Sequence, residues 1–269
     1  MAQYSAVSVT GCAKKSWHKT KSYRPFAAER TAPLVGLEFP KAAVTFPIAW
    51  VVNNDQFEPV GLLGLVDSEN LFVDAHGRWV GAYCPAHFRT QPFRLMPAHD
   101  NTLTLAVRDD LGLVTDDDTG YPFFTDDGDL SPELQEVVAR LQQTETNRAA
   151  TQRASNALAE AGLLTPWPIS AAVHGQAKTL TGLYHVSEPA LDALDAATLH
   201  HLRDTGGLAM AYCQQISRQL VQRLELLHER RAREKVKRST HPADASGFGL
   251  GVEDSATGIS FGGMTDRLE

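Results

Sequence analysis

Residues 60–95 read VGLLGLVDSENLFVDAHGRWVGAYCPAHFRTQPFRL, and this stretch decides the fold. Apolar runs are broken by Asp67-Ser68-Glu69-Asn70 and by Asp74-Ala75-His76-Gly77. Both breaks are turn chemistry, because Asn, Asp and Gly tolerate the left-handed backbone of tight connections. The block predicts a β-meander that cannot bury itself and must pack against other segments.

Upstream, Pro33-Leu34-Val35 opens an apolar run, and Ile48–Val52 forms a β-rich run bounded by Asn53-Asn54-Asp55. Between them Phe39–Ala43 predicts one helical turn, with Pro40 at a first helical position. Residues 1–22 are polar and slightly basic, which predicts a flexible arm. Downstream, Thr102–Val107 alternates with period two, as a half-buried strand does. Residues 109–129 carry eight aspartates and no base. An EF-hand register fails there, so the acids read as solvated turns around a Tyr121–Phe124 strand, with Asp127-Gly128 as a hairpin corner.

Ser131-Pro132-Glu133 is a helix start: a hydroxyl cap, proline at the first position and an acid in the first turn. Leu134, Val137, Val138 and Leu141 follow at helical spacing. The face turns polar through residues 142–152, then Ala154, Ala157, Leu158 and Ala161 restore a small apolar stripe before Gly162. The resulting helix of about 30 residues is long enough to admit a break near Thr144–Asn147. A second β piece spans Ile169–Val186, with His174-Gly175 as its turn. A helix then begins at Pro189, and a last one carries Leu208, Ala211, Tyr212, Ile216, Leu220, Leu224 and Leu227 on one face. Residues 218–238 hold eight Lys or Arg against three Glu, and read as a solvated helix end whose cations suit the C-terminal dipole. The predicted fold is α+β: a mixed β core of meander plus late hairpin, packed with C-terminal helices. It forms one domain over 23–230, followed by a basic helix end and a disordered tail over 231–269.

The chain has 269 residues, 43% of them hydrophobic and 21% charged, the balance of an ordinary globular protein. A net charge of −7 argues against a general nucleic-acid binder and against attraction to an anionic membrane. Three scattered cysteines, Cys12, Cys84 and Cys213, make no disulfide framework and suit a reducing compartment. Cys84-Pro85-Ala86-His87 has ligand-like spacing, but no second pair completes a structural zinc set, so neither a metal nor a cofactor is expected. The N-terminus lacks the apolar core of a Sec signal, and no run of about 18 apolar residues occurs, so no membrane span is expected. These features predict a cytoplasmic location, with surface association only by a non-Sec route.

No nucleophile elbow, P-loop or zincin helix is present. The densest polar cluster lies at residues 67–89. Within it Asp74, His76 and His87 are the candidate acid–base groups of an enzyme. Arg78, Trp79, Tyr83, Phe88, Arg89 and Phe93 are the candidate anchors of a binding surface.

The strings Leu62-Leu63-Gly64-Leu65, Glu69-Asn70-Leu71-Phe72-Val73-Asp74, Gly77-Arg78-Trp79, Tyr83-Cys84-Pro85-Ala86 and Arg89 through Phe93 resemble the SapC family of bacterial proteins. Pro33-Leu34, Glu38-Phe39, Phe46-Pro47-Ile48, Asp127-Gly128, Gly162-Leu163-Leu164 and Gly182-Leu183-Tyr184 with Val186 and Glu188 agree in order. The similarity covers roughly Ser16 to Leu227. Thr90-Gln91 and the last 40 residues or so depart from the pattern. The resemblance implies a link to bacterial surface layers and brings no catalytic residue with it. It favours a non-catalytic accessory protein of a cell-envelope locus, recognising a peptide, glycan or protein partner. Two rival readings stand beside it: an enzyme with its site in the 67–89 block, and a homo-oligomeric structural protein that sets the basic helix against the Asp-rich turns.

Overall fold

The computed structural model describes residues 4–98, 102–173 and 176–240. Strands β1 (Tyr4–Ala6) and β2 (Ser16–Trp17) flank the short helix α1 (Val9–Cys12). Next come β3 (Thr31–Pro33), α2 (Phe39–Ala42), β4 (Ile48–Asn53), β5 (Gln56–Leu62), α3 (Ala86–Arg89), β6 (Phe93–Pro97), β7 (Leu103–Arg108), β8 (Val114–Thr115) and β9 (Tyr121–Pro122). The long helix α4 (Pro132–Glu160) leads into β10 (Leu164–Pro166), β11 (Ile169–Val173), β12 (Gln176–Leu180) and β13 (Tyr184–Val186). Helices α5 (Glu188–Asp192), α6 (Ala196–Thr205), α7 (Gly207–Ser217) and α8 (Val221–Thr240) finish the described chain. This is an α+β architecture, as the patterning predicts.

The main sheet is antiparallel, with strand order β10-β13-β4-β5-β3, so the late β piece completes the early one. Its side chains meet α4 and α7 in one core that includes Trp50, Phe39, Phe46 and Leu158. Strands β4 and β13 touch at a single residue pair, Tyr184 with Trp50, which leaves backbone groups beside it without a ladder partner. Helix α7 supplies them. Gln214 accepts from the Val186 N–H and donates to the Ile48 carbonyl, at 3.2 Å each. The Ser217 hydroxyl accepts from the Ile48 N–H at 2.9 Å. Both side chains are fully buried, which the bonds make affordable.

The two apolar stripes of α4 serve two cores. Ala154, Ala157 and Leu158 pack in the main one, whereas Leu134 and Leu141 pack in a smaller one with Trp17, Phe93, Val107 and Phe123. The helix is unbroken over 144–147. There Thr144, Thr146 and Asn147 bond back to the carbonyls four residues earlier, so their polar groups find partners without interrupting the backbone. Ser131 caps the start as expected, accepting from the Leu134 N–H.

Three expectations are corrected. Residues 4–22 are not a free arm: β1 pairs with β7, and β2 pairs with both β8 and β9. The Trp17 indole, 1% exposed, sits edge-on to Phe93 and beside Tyr121, and burying one large aromatic outweighs the polar residues around it. Second, residues 63–92 form no meander; they contain one bridge, Val73 with Trp79, and the single-turn α3. The apolar runs still reach the core, but from irregular backbone. Asn70 holds that backbone, donating to the Phe26 carbonyl and accepting from the Phe72 N–H. Third, Tyr212 and Ile216 are exposed rather than buried, because the inward face of α7 is Met210, Ala211, Gln214 and Ser217. The expected His174-Gly175 turn and most of the expected tail lie outside the described residues.

The basic helix end is not wholly solvated either. On α8, His228 Nδ1 lies 2.9 Å from Glu69 Oε2, and both residues are buried. Arg231 donates to the carbonyls of Asn70 and Val73. Arg230 and Arg233 face solvent and pair with Glu234 and Glu229 along the helix. Arg231→Ala leaves two loop carbonyls without their charged donor. The expected loss is about 1.5–3 kcal/mol, with faster amide exchange over 222–234. Unchanged exchange there would show that α8 is held by its apolar contacts alone.

Candidate functional site

Two of the family-like strings converge on Glu38. This residue closes a single 3-10 turn (Gly36–Glu38), and its side chain is turned inward at 6% exposure. One carboxylate oxygen accepts from the Val35 N–H at 2.9 Å. The other accepts from the Tyr83 hydroxyl and the Ala86 N–H, both at 2.7 Å. Arg89 donates to the Tyr83 oxygen at 3.1 Å and to the Cys84 carbonyl at 2.9 Å, with its guanidinium 5.4 Å from the Tyr83 ring centre. Trp79 Nε1 donates to the Tyr83 carbonyl at 2.9 Å. The Glu38 carboxylate, the Tyr83 hydroxyl and the Trp79 indole N–H thus all have partners inside the protein.

The phenols and the thiol at this node are hard to ionise. Burial, and then the bond to Glu38, push the Tyr83 phenol far above its usual range. Burial raises Tyr23 to about 12 and the Cys84 thiol to about 11. None of the three supplies an anionic nucleophile near neutral pH.

Asp74, His76 and His87 are not brought together as an acid–base set. The Asp74 carboxylate accepts from the backbone N–H groups of Arg78 and His76 and from Arg78 Nε, closing its own turn. The His76 side chain is exposed, and His87 faces Glu29 at 3.6 Å. The Arg78 N–H above all, then the Arg78 side chain and the His76 N–H, lower the Asp74 pKa to about 2. A carboxylate with a depressed folded pKa adds stability that is present above its unfolded value, near 4, and lost as pH falls through about 2. Asp74→Asn is therefore expected to flatten the stability-versus-pH curve between pH 4 and 2, read by denaturant unfolding at each pH. An unchanged acid limb would refute that role.

The anchor set is also redrawn. Phe88 and Phe93 are 0% and 1% exposed, so neither can reach a partner. Phe88 packs on Phe26 and Trp79, and Phe93 on Trp17 and Phe123. Trp79 and Tyr83 are half-buried in the node, while Arg78 and Arg89 are exposed but held by Asp74 and Tyr83.

A different place is open. A cleft of about 790 Å³ lies between the start of β11 and the α7–α8 helical run. Trp167 and Ile169 line it from the strand segment, Gln215, Arg218, Gln219, Gln222 and Glu225 from the helical run, and Glu188 also belongs to its wall. Spacings of four and three residues put Gln215, Gln219 and Gln222 on one helix face. The Trp167 backbone N–H donates to the Leu183 carbonyl at 2.7 Å, and its half-buried ring lies 5.7 Å from His185, with Arg218 5.9 Å from its centre. His185 donates from Nδ1 to the Val186 carbonyl, and burial followed by the Arg218 charge lowers its pKa, favouring the neutral ring. Gln215 Nε2 is buried without a hydrogen-bond acceptor among the described residues. Sequence reasoning missed this cleft because its walls come from segments about 50 residues apart, and Ile216 passes for a core residue in a helical pattern.

Among the described residues no group of three or more His, Cys, Asp or Glu side chains is placed to hold a metal ion. Among them, too, no helix is long and apolar enough to cross a membrane. No curated protein and no solved structure matches the chain significantly. The profile of one family, SapC, does match it, over residues 11–224. That span includes the Glu38 node, the irregular 63–92 segment and most of the cleft, and the chain belongs to the SapC family.

Proposed function

We propose that this SapC-family chain is a non-catalytic accessory protein of a bacterial cell-envelope or surface-layer locus, which recognises a peptide, glycan or protein partner through the Trp167 cleft. The observation that carries this reading is a contrast in how polar groups are used. Glu38, Tyr83, Asp74 and Arg89 are spent on internal hydrogen bonds, which suits scaffolding rather than turnover. The cleft instead gathers an indole, glutamines and a buried amide donor with no acceptor among the described residues. Clefts of roughly 300–1,000 Å³ with an aromatic wall and a few convergent polar groups are the usual form of a ligand site.

Co-sedimentation with cell envelopes isolated from the encoding bacterium tests it. Wild type is expected to pellet with the envelopes, and Trp167→Ala to weaken that association about tenfold, the equivalent of about 1.4 kcal/mol. Arg78→Ala is expected to leave it unchanged. Association that is absent, or indifferent to Trp167, would remove the cleft from the function.

A further inference from the structure

The cleft borders an unused strand edge. Strands β11 and β12 form a sheet of their own, so among the described residues each has one side without a neighbouring strand. Two residues separate the closing pair Val173 and Gln176, and such a pair exchanges both of its backbone bonds. Opposite pairs then alternate, which makes Ala171–Lys178 and Ile169–Leu180 the other bonded ones. Ser170 and Ala172 therefore turn their N–H and C=O groups away from β12. Among the described residues no backbone bond from outside the hairpin reaches either of them. That side faces the cleft. Ile169 and Ser170, neighbours within β11, both line it, and no β12 residue does. Successive side chains of a strand point to opposite faces, so a cleft lined by both runs along the edge and not across one face. Open edges are ordinarily guarded by charge, proline or a bulge. Ile169–Val173 contains neither charge nor proline, whereas β12 carries Lys178.

Resting on the reading that this cleft is the recognition site, we infer that it takes an extended peptide segment of a partner protein, added to β11 as a third strand and carrying a Lys or Arg. A peptide offers N–H and C=O groups at every second residue, about 6.8 Å apart, the spacing at which Ser170 and Ala172 present theirs. Pro168 has no N–H, so pairing ends at Ser170 and leaves the Trp167 indole to the peptide's side chains. The ionic side chains of the wall are Glu188, Glu225 and Arg218, and the chain carries a net charge of −7. That balance favours a basic segment over an acidic one. The helical run forms the rest of the wall, so a single extended chain enters where a second folded copy, bringing the same helices, is kept out.

Panning a phage library of random heptapeptides on the full chain, then titrating the synthesised winners calorimetrically, tests the assignment. Winners are expected to be rich in β-branched residues, to carry a Lys or Arg, and to bind with dissociation constants at or below about 100 μM. Methylating the backbone nitrogens at every second position removes the donors along one edge of a peptide. Of the two alternately methylated forms, one is expected to lose about tenfold in affinity and the other to bind like the parent. Ser170→Pro deletes an outward N–H and no bond to β12, and is expected to weaken the winners about tenfold. The methylated peptides need no protein variant, so they decide the case should Ser170→Pro fold poorly. No enrichment over a blank surface, or winners indifferent both to methylation and to Ser170→Pro, overturns strand addition. A wild-type dimer that Ser170→Pro dissolves would place a second copy on the edge and overturn it equally. If envelope association still depends on Trp167 in those cases, the recognition site stands and only its occupant falls. Peptides that pair with β11 while envelope association ignores Trp167 would keep strand addition and remove the envelope reading.

Discussion

Glu38→Ala is expected to destabilise the protein by about 3–5 kcal/mol, measured as a fall in the guanidinium unfolding midpoint. The magnitude follows from what the carboxylate leaves behind. The Val35 N–H, the Ala86 N–H and the Tyr83 hydroxyl all donate to it, and alanine offers none of them an acceptor. A buried donor that loses its partner costs its full desolvation, about 1–3 kcal/mol. Glu38→Gln keeps the volume but exchanges one acceptor oxygen for an NH₂ group, so one donor then faces another donor. Its loss should be intermediate. Tyr83→Phe removes two bonds, the one donated to Glu38 and the one accepted from Arg89, and should cost about 1–3 kcal/mol. The double variant Glu38→Ala, Tyr83→Phe should cost less than the sum of the two, because both remove the same 2.7 Å contact. If Glu38→Ala lost under 1 kcal/mol, the node would be incidental to the fold. A folded Glu38→Gln protein that still pellets with envelopes would separate scaffolding from recognition.

How far these features could be read beforehand depended on the range of the interaction. Short-range chemistry was legible. Ser131-Pro132 starts α4, and Asp127-Gly128 turns the chain between Phe124 and Leu130. The split apolar stripe of α4 was visible too, although only the structure shows that its halves belong to different cores. Long-range pairing was not legible. The strings around Glu38 and Tyr83 are 45 residues apart, and nothing in either announces that the hydroxyl of one meets the carboxylate of the other. The arm misled because its one decisive residue, Trp17, is surrounded by lysines and serines. Helix α7 misled for the converse reason. Gln214 and Ser217 look like surface residues, yet they go inside to complete a splayed pair of strands, and this turns Ile216 outward to the cleft. The candidate site was hidden by the same exchange of polar and apolar faces.

Gly64→Ala is expected to exceed about 3 kcal/mol in lost stability, more than an ordinary overpacking substitution. The cause is steric and lies in the backbone. A Cβ at position 64 would stand 2.1 Å from the Glu69 carbonyl oxygen and 2.9 Å from its carbon. Those atoms cannot swing aside as a side-chain tip can. The neighbouring residues are pinned: the Leu63 N–H donates to the Arg30 carbonyl at 2.7 Å, and the Leu71 N–H to the Leu63 carbonyl at 2.8 Å. Relief therefore requires the 65–70 loop to move as a body. That loop carries Glu69, which meets His228, and Asn70, whose carbonyl receives Arg231. A methyl group at Gly64 should thus loosen α8 as well, and amide exchange over 222–234 should rise together with the fall in unfolding midpoint. Gly128→Ala is the matched control. It has a left-handed φ of +86° with open space around it, so it should cost only about 1 kcal/mol and leave α8 untouched. If the two alanines proved equally mild, the close approach at Gly64 would not govern this loop, and the docking of α8 on it would need another cause.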